Sequence, residues 1–95
     1  MQVRWTSPAA NDLKTISSHI ERQRNLATAN CVCRIIYDAV QILRRFPDSG
    51  KPGIEEGTRE FVVPAMPSYI VAYKVVRSEA VQILRIWHGA QDRRQ

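Results

Sequence analysis

The hydrophobic period of this chain changes at Pro47, and that change restricts the folds open to it. Before Pro47, two long stretches carry apolar residues at three- and four-residue intervals; after it come three short β-branched and aromatic runs separated by turn residues. The first pattern buries one stripe of a helix and the second buries faces of a sheet, so the two parts of the chain must cover each other. A further strand opens the chain. From Gln2 to Thr6, Val3 and Trp5 alternate with Gln2, Arg4 and Thr6, which is the two-residue period of extended backbone.

The first helix is expected to start at Ser7, whose hydroxyl can accept from the first free amides, with Pro8 at the position where a missing donor costs nothing. Asp12 suits the positive end of the dipole, and Ala9, Leu13, Ile16 and Ile20 form the apolar stripe. Asn25 is the expected cap of a second helix that begins near Leu26. Ala27, Cys31, Ile35, Ala39, Ile42, Leu43 and Phe46 keep the helical period until Pro47 forbids continuation.

From Pro47 to Gly53 glycine and proline discourage regular structure. Three strands are then expected, at Thr58 to Val63, Ser68 to Val76 and Ala80 to Trp87, and their short connectors favour antiparallel hairpins. The resulting expectation is an α+β fold of order β-α-α-β-β-β, a helical hairpin packed on a four-stranded antiparallel sheet, in one domain over residues 1–95. Strict alternation places Ile70, Ala72, Leu84 and Ile86 on one side of the last two strands. A mixed side with Tyr69, Tyr73, Arg85 and Trp87 among aliphatics is expected to be open to a partner.

Fourteen Lys and Arg oppose nine Asp and Glu, a formal charge of +5, and only Lys14, Lys51 and Lys74 of the fourteen are lysines. Guanidinium groups pair with carboxylates and phosphates two bonds at a time, so an Arg-rich surface points to an acidic or polyanionic partner. No apolar run follows a basic start and none reaches the roughly 20 residues of a membrane span, so a soluble, cytoplasmic protein without a membrane partner is expected. Cys31 and Cys33 would point about 200° apart on a helix, which suits neither a disulfide nor a shared metal. No metal and no cofactor is expected.

The RW of the opening strand, ANDLKTI, GTREFVV, PSYIVAYKV and the ending ILRIWHGAQDRR together resemble toxins of the RelE/ParE superfamily over nearly the whole chain. The resemblance implies a growth-inhibiting toxin of a type II toxin–antitoxin system, of the kind associated with plasmid stabilisation, held by a cognate antitoxin in an oligomeric complex. Its RelE-like branch cleaves mRNA on the ribosome with basic and aromatic residues of the open sheet face; its ParE-like branch inhibits DNA gyrase. Arg59 falls where RelE-like nucleases carry a basic residue, and His88 falls near their C-terminal catalytic position. Where those nucleases place an arginine before an LVY-like run this chain has Tyr69, and Lys51 is the one lysine of the adjoining loop. The missing cation favours the ParE-like branch and gyrase as target, with ribosome-bound mRNA as the alternative.

His88 would be the acid–base group of a nuclease, yet a histidine ending a strand equally serves the sheet edge. His19 reads as a helix-surface residue. Arg59 and Glu60 alternate to opposite faces, so Arg59 needs another partner, Glu55, Glu56 or an antitoxin carboxylate. Arg85, between Leu84 and Ile86, must be paired internally or face the open side. The partner-binding set expected from these arguments is Arg59, Tyr69, Tyr73, Arg85 and Trp87. Arg93 and Arg94 read as a solvated basic tail.

Overall fold

The computed structural model describes residues 1–89; Arg93 and Arg94, and the end of the ILRIWHGAQDRR string, lie outside the described residues. The chain runs β1 (Gln2–Trp5), α1 (Ser7–Gln23), α2 (Leu26–Val40), a 3-10 turn (Gln41–Arg44), β2 (Lys51–Pro52), β3 (Arg59–Val62), β4 (Tyr69–Val76) and β5 (Ala80–His88). The α+β class and the helical hairpin on a sheet are as the sequence implies. The sheet differs in detail, having five strands in the order β1-β5-β4-β3-β2. β1 pairs parallel with β5, and the other neighbours are antiparallel. Connector length fixes only the hairpins between consecutive strands. The first and last strands are joined through the whole intervening chain, and so are free to run parallel.

Thr6, not Ser7, caps α1. It stays extended after β1 and accepts from the Ala9 N–H at 3.3 Å, while its hydroxyl donates to the Ile83 carbonyl at 2.7 Å. One side chain thus starts the helix and continues the outer edge of β5 where β1 ends. Asn25 caps α2 as expected, accepting from Thr28 N–H at 2.7 Å.

The buried stripe of α2 is Ala29, Val32, Ile36 and Val40, continued by Leu43, which is the one fully buried member of the stripe expected. Ala27 and Cys31 are exposed, Ile35 and Ala39 half-buried, and Ile42 and Phe46 are 47% and 58% exposed. The helix is apolar on two faces, so periodicity alone could not choose between them. Leu26–Arg44 is also long and apolar enough to span a membrane by composition, but its inner stripe forms this core with Phe61, Val63, Val71 and Ile83.

The second departure is in β5. Tyr73 pairs with Ile83 and Ala72 with Arg85, leaving Leu84 as an extra residue. This bulge reverses the alternation. Ile83 and Ile86 therefore both face the helices although three residues apart, and both are buried. Tyr69, Val71 and Tyr73 share that covered face, whereas Arg85 and Trp87 pair with Ala72 and Ile70 on the open one. The mixed open side expected from strict alternation is in fact two different faces.

Candidate functional site

Arg59 and Tyr73 face each other across β3 and β4 and together hold the loop after Pro47. The Tyr73 hydroxyl donates to the Pro47 carbonyl at 2.6 Å and accepts from the Gly50 N–H at 2.9 Å. Arg59 donates to the Gly50 carbonyl at 2.7 Å and lies 3.5 Å from Asp48. Its partners are therefore Gly50 and Asp48, neither Glu55 nor Glu56. Gly50 is required by this packing, because a Cβ there would lie 2.7 Å from the Tyr73 ring and 2.9 Å from the Glu60 carbonyl. Burial pushes the Tyr73 phenol above its ordinary range, against the Gly50 hydrogen bond and the Arg59 charge, which pull it down.

Arg85 is satisfied from α1. Asp12 accepts from Arg85 Nε at 2.7 Å and Nη2 at 3.1 Å, and from the backbone N–H of Ile86 at 2.9 Å. Because β1 ends opposite Ile83, β5 has no strand neighbour on that edge beyond this point, although β4 continues to pair along the other. The carboxylate stands in for one. The hydrogen bond to Asp12 raises the Arg85 pKa further above its already high value.

On the open face the loop before β3 overhangs a recess of about 160 Å³ lined by Ile54, Glu55, Thr58, Glu60, Ala72, Leu84, Arg85 and Trp87. Glu60 is 5% exposed. Two carboxylates and one Asp12-bound guanidinium thus surround a half-buried indole. The sequence reading missed Glu60. Its signal was present, since alternation had already set it on the face opposite Arg59.

The expected site residues do not converge. Tyr69 and Tyr73 are buried among the core side chains. Tyr69 meets the His88 ring edge-on at 5.3 Å between centroids, and burial, reinforced by Cys33, raises its pKa. Arg59 and His88 flank β4 opposite Tyr73 and Tyr69, four residues apart, or roughly 13 Å along the strand at about 3.3 Å per residue. Among the described residues no group of three His, Cys, Asp or Glu is placed to hold a metal ion.

The comparisons with known proteins agree with this architecture. The family model described as ParE toxin of type II toxin-antitoxin system, parDE, matches residues 3–93. The protein named "Putative toxin Y4kP" from Sinorhizobium fredii is 39% identical over 90 residues, covering 95% of this chain and 90% of its own. Among solved structures, the chromosomal ParDE TA system from P. aeruginosa superposes with a TM-score of 0.84 at 26% identity, over 93% of this chain and 95% of that one. The toxin-antitoxin complex RelBE2 from Mycobacterium tuberculosis gives a TM-score of 0.60 at 28% identity, over 92% and 95%. The chain is a toxin of the RelE/ParE superfamily and belongs to the ParE toxin family of type II toxin–antitoxin systems.

Proposed function

We propose that this toxin arrests growth in the cytoplasm by inhibiting DNA gyrase, using surface complementarity and no chemistry of its own, and that a cognate antitoxin neutralises it in an oligomeric complex. The observation that carries the choice of target is the acidic lining of the open-face recess. An RNA-cleaving site needs fixed cations around the phosphate whose charge grows in the transition state. Here Glu55 and Glu60 line the recess and its one guanidinium is engaged by Asp12. A carboxylate 4 Å from a phosphate charge is unfavourable by about 4 kcal/mol at the effective dielectric of a protein surface. Arg59 is held by the Pro47–Gly50 loop, and His88 sits at the far end of the neighbouring strands.

Gyrase inhibition requires only a fitting surface, and Trp87 with Arg85 supplies the half-buried aromatic and guanidinium typical of interface centres. The greater structural likeness to ParDE than to RelBE2 supports the same reading. Supercoiling of relaxed plasmid by purified gyrase, with and without the toxin, tests it.

A further inference from the structure

The β1 edge of the sheet carries a recess of different chemistry. Between β1 and the end of α2 with its 3-10 turn lies a space of about 310 Å³ lined by Gln2, Val3, Trp5, Tyr37, Gln41 and Arg44. Trp5 and Tyr37 lie parallel there, with ring centroids 6.2 Å apart and planes within 10°. Stacking at that separation is offset and leaves part of a ring face uncovered, and Tyr37 is 49% exposed. The aromatic wall has room for one more planar group.

The polar part of the lining is one-sided. Arg44 is anchored through Nε, which donates to the Met1 carbonyl at 3.4 Å, and among the described residues no carboxylate pairs with its guanidinium. No aspartate or glutamate lines the recess. Gln2 Oε1 accepts from Arg4 Nε at 3.3 Å and Nη2 at 3.2 Å. Arginine can only donate, so this contact fixes the Gln2 amide and leaves its NH2 as the end on offer. Gln41 adds a second amide, able to donate and to accept. The open-face recess is the opposite case, with Glu55 and Glu60 in its lining and its guanidinium engaged by Asp12.

These groups ask for three things in one ligand: an anion for Arg44, hydrogen-bonding edges for the amides and a flat ring for Tyr37. A guanidinium takes a phosphate two bonds at a time, and every nucleic-acid base can stack on an aromatic side chain. Small-molecule sites begin at roughly 300 Å³, which suits a single nucleotide. We propose that this recess binds a free mononucleotide, with its phosphate on Arg44, its base against Tyr37 and its polar edges on Gln2 and Gln41. The proposal does not depend on which cellular target the toxin has.

The chain's two tryptophans make the test direct, since Trp5 lines this recess and Trp87 the one on the open face. Purified toxin labelled with ¹⁵N is titrated with AMP, and its two indole N–H resonances, assigned with Trp87→Phe, are followed. A saturable shift of Trp5 with Trp87 unmoved is expected. Ribose 5-phosphate, which lacks the base, should bind at least about fivefold more weakly than AMP, and adenosine, which lacks the phosphate, at least about tenfold more weakly. Arg44→Gln is expected to weaken AMP binding at least about tenfold, and so is Gln41→Glu, which keeps the side chain's shape and sets a carboxylate beside the phosphate. Arg34→Gln removes a cation of α2 outside the recess and should stay within about twofold of wild type. Circular dichroism melts establish that each variant is folded, and Gln41→Glu carries the test if Arg44→Gln is not. The absence of a saturable Trp5 shift, an affinity for inorganic phosphate equal to that for AMP, or wild-type affinity in Gln41→Glu overturns the site. A short single-stranded oligonucleotide that moves Trp5 at lower concentration than AMP overturns the free nucleotide and assigns the recess to a nucleic-acid strand.

Discussion

Asp12 of α1 binds Arg85 and the backbone of the following residue at once, taking Arg85 Nε at 2.7 Å and the Ile86 N–H at 2.9 Å. The two contacts have unequal consequences. The Arg85 side chain is 48% exposed and that of Asp12 19%, so solvent screens the charge pair. An exposed pair of this kind contributes about 0–1 kcal/mol, whereas leaving a part-buried amide without an acceptor costs roughly 1–3 kcal/mol. Asp12→Ala is therefore expected to lower stability by about 1 kcal/mol or more beyond Arg85→Ala, as read from urea midpoints. Equal losses would show that the ion pair, and not the strand-edge amide, is what Asp12 serves.

Tyr73→Phe removes the acceptor of the Gly50 N–H and the donor to the Pro47 carbonyl, with an expected loss of roughly 1–3 kcal/mol. Gly50→Ala, which forces a Cβ against the Tyr73 ring, is expected to cost a similar amount, roughly 1–3 kcal/mol. The pH dependence has a definite sign. The folded pKa of Tyr73 lies above its ordinary value of 10.0, so the native state holds the phenolic proton more tightly than the unfolded chain. Its contribution is complete below the unfolded pKa and is lost as pH rises through the folded one. Urea midpoints measured upward from pH 8 should fall above about pH 10, and less steeply in Tyr73→Phe. Parallel curves would remove Tyr73 as a source of that loss.

The β4–β5 turn places Arg77 and Ser78 at φ 54° and 59°, with Glu79 N–H closing onto the Val76 carbonyl at 3.0 Å. Two successive left-handed residues mark the hairpin turn that favours Asn-Gly. Replacing Arg77-Ser78 by Asn-Gly is expected to raise stability by roughly 1 kcal/mol, visible as a higher melting temperature. A lower one would mean that the Arg77 or Ser78 side chain stabilises the turn in ways its backbone does not show.

Much of the fold was legible because its signals are local. Asn25 and Pro8 mark helix starts, and the turn residues around Gly50 and Pro67 separate the strands. What was missed is non-local. α2 has two apolar faces, and which one is buried depends on where the sheet lies. The Leu84 bulge moved Ile86 to the covered side and divided Tyr69 and Tyr73 from Arg85 and Trp87, and no two-residue periodicity can announce an extra residue. The partners of Arg59 and Arg85 were illegible for the same reason: Asp12 is 73 positions from Arg85, and Asp48 sits in a loop whose path the Tyr73 hydroxyl decides.

His88 packs edge-on against Tyr69 at the end of β5. His88→Ala is expected to leave growth arrest intact in a folded variant, scored by colony formation on induction without antitoxin. A loss of toxicity of about 10²-fold or more at unchanged melting temperature would instead be the size of effect expected of a lost acid–base group.

The choice of target is decided by giving one toxin preparation both candidate substrates. Purified toxin is added to DNA gyrase with relaxed plasmid, and separately to a translating extract whose mRNA ends are mapped. With Glu55 and Glu60 lining the open-face recess and Arg59 and Arg85 committed within the fold, supercoiling should stop at stoichiometric toxin and the mRNA should remain uncut. Codon-phased mRNA cleavage with gyrase fully active would contradict gyrase inhibition and assign this chain to the ribosome.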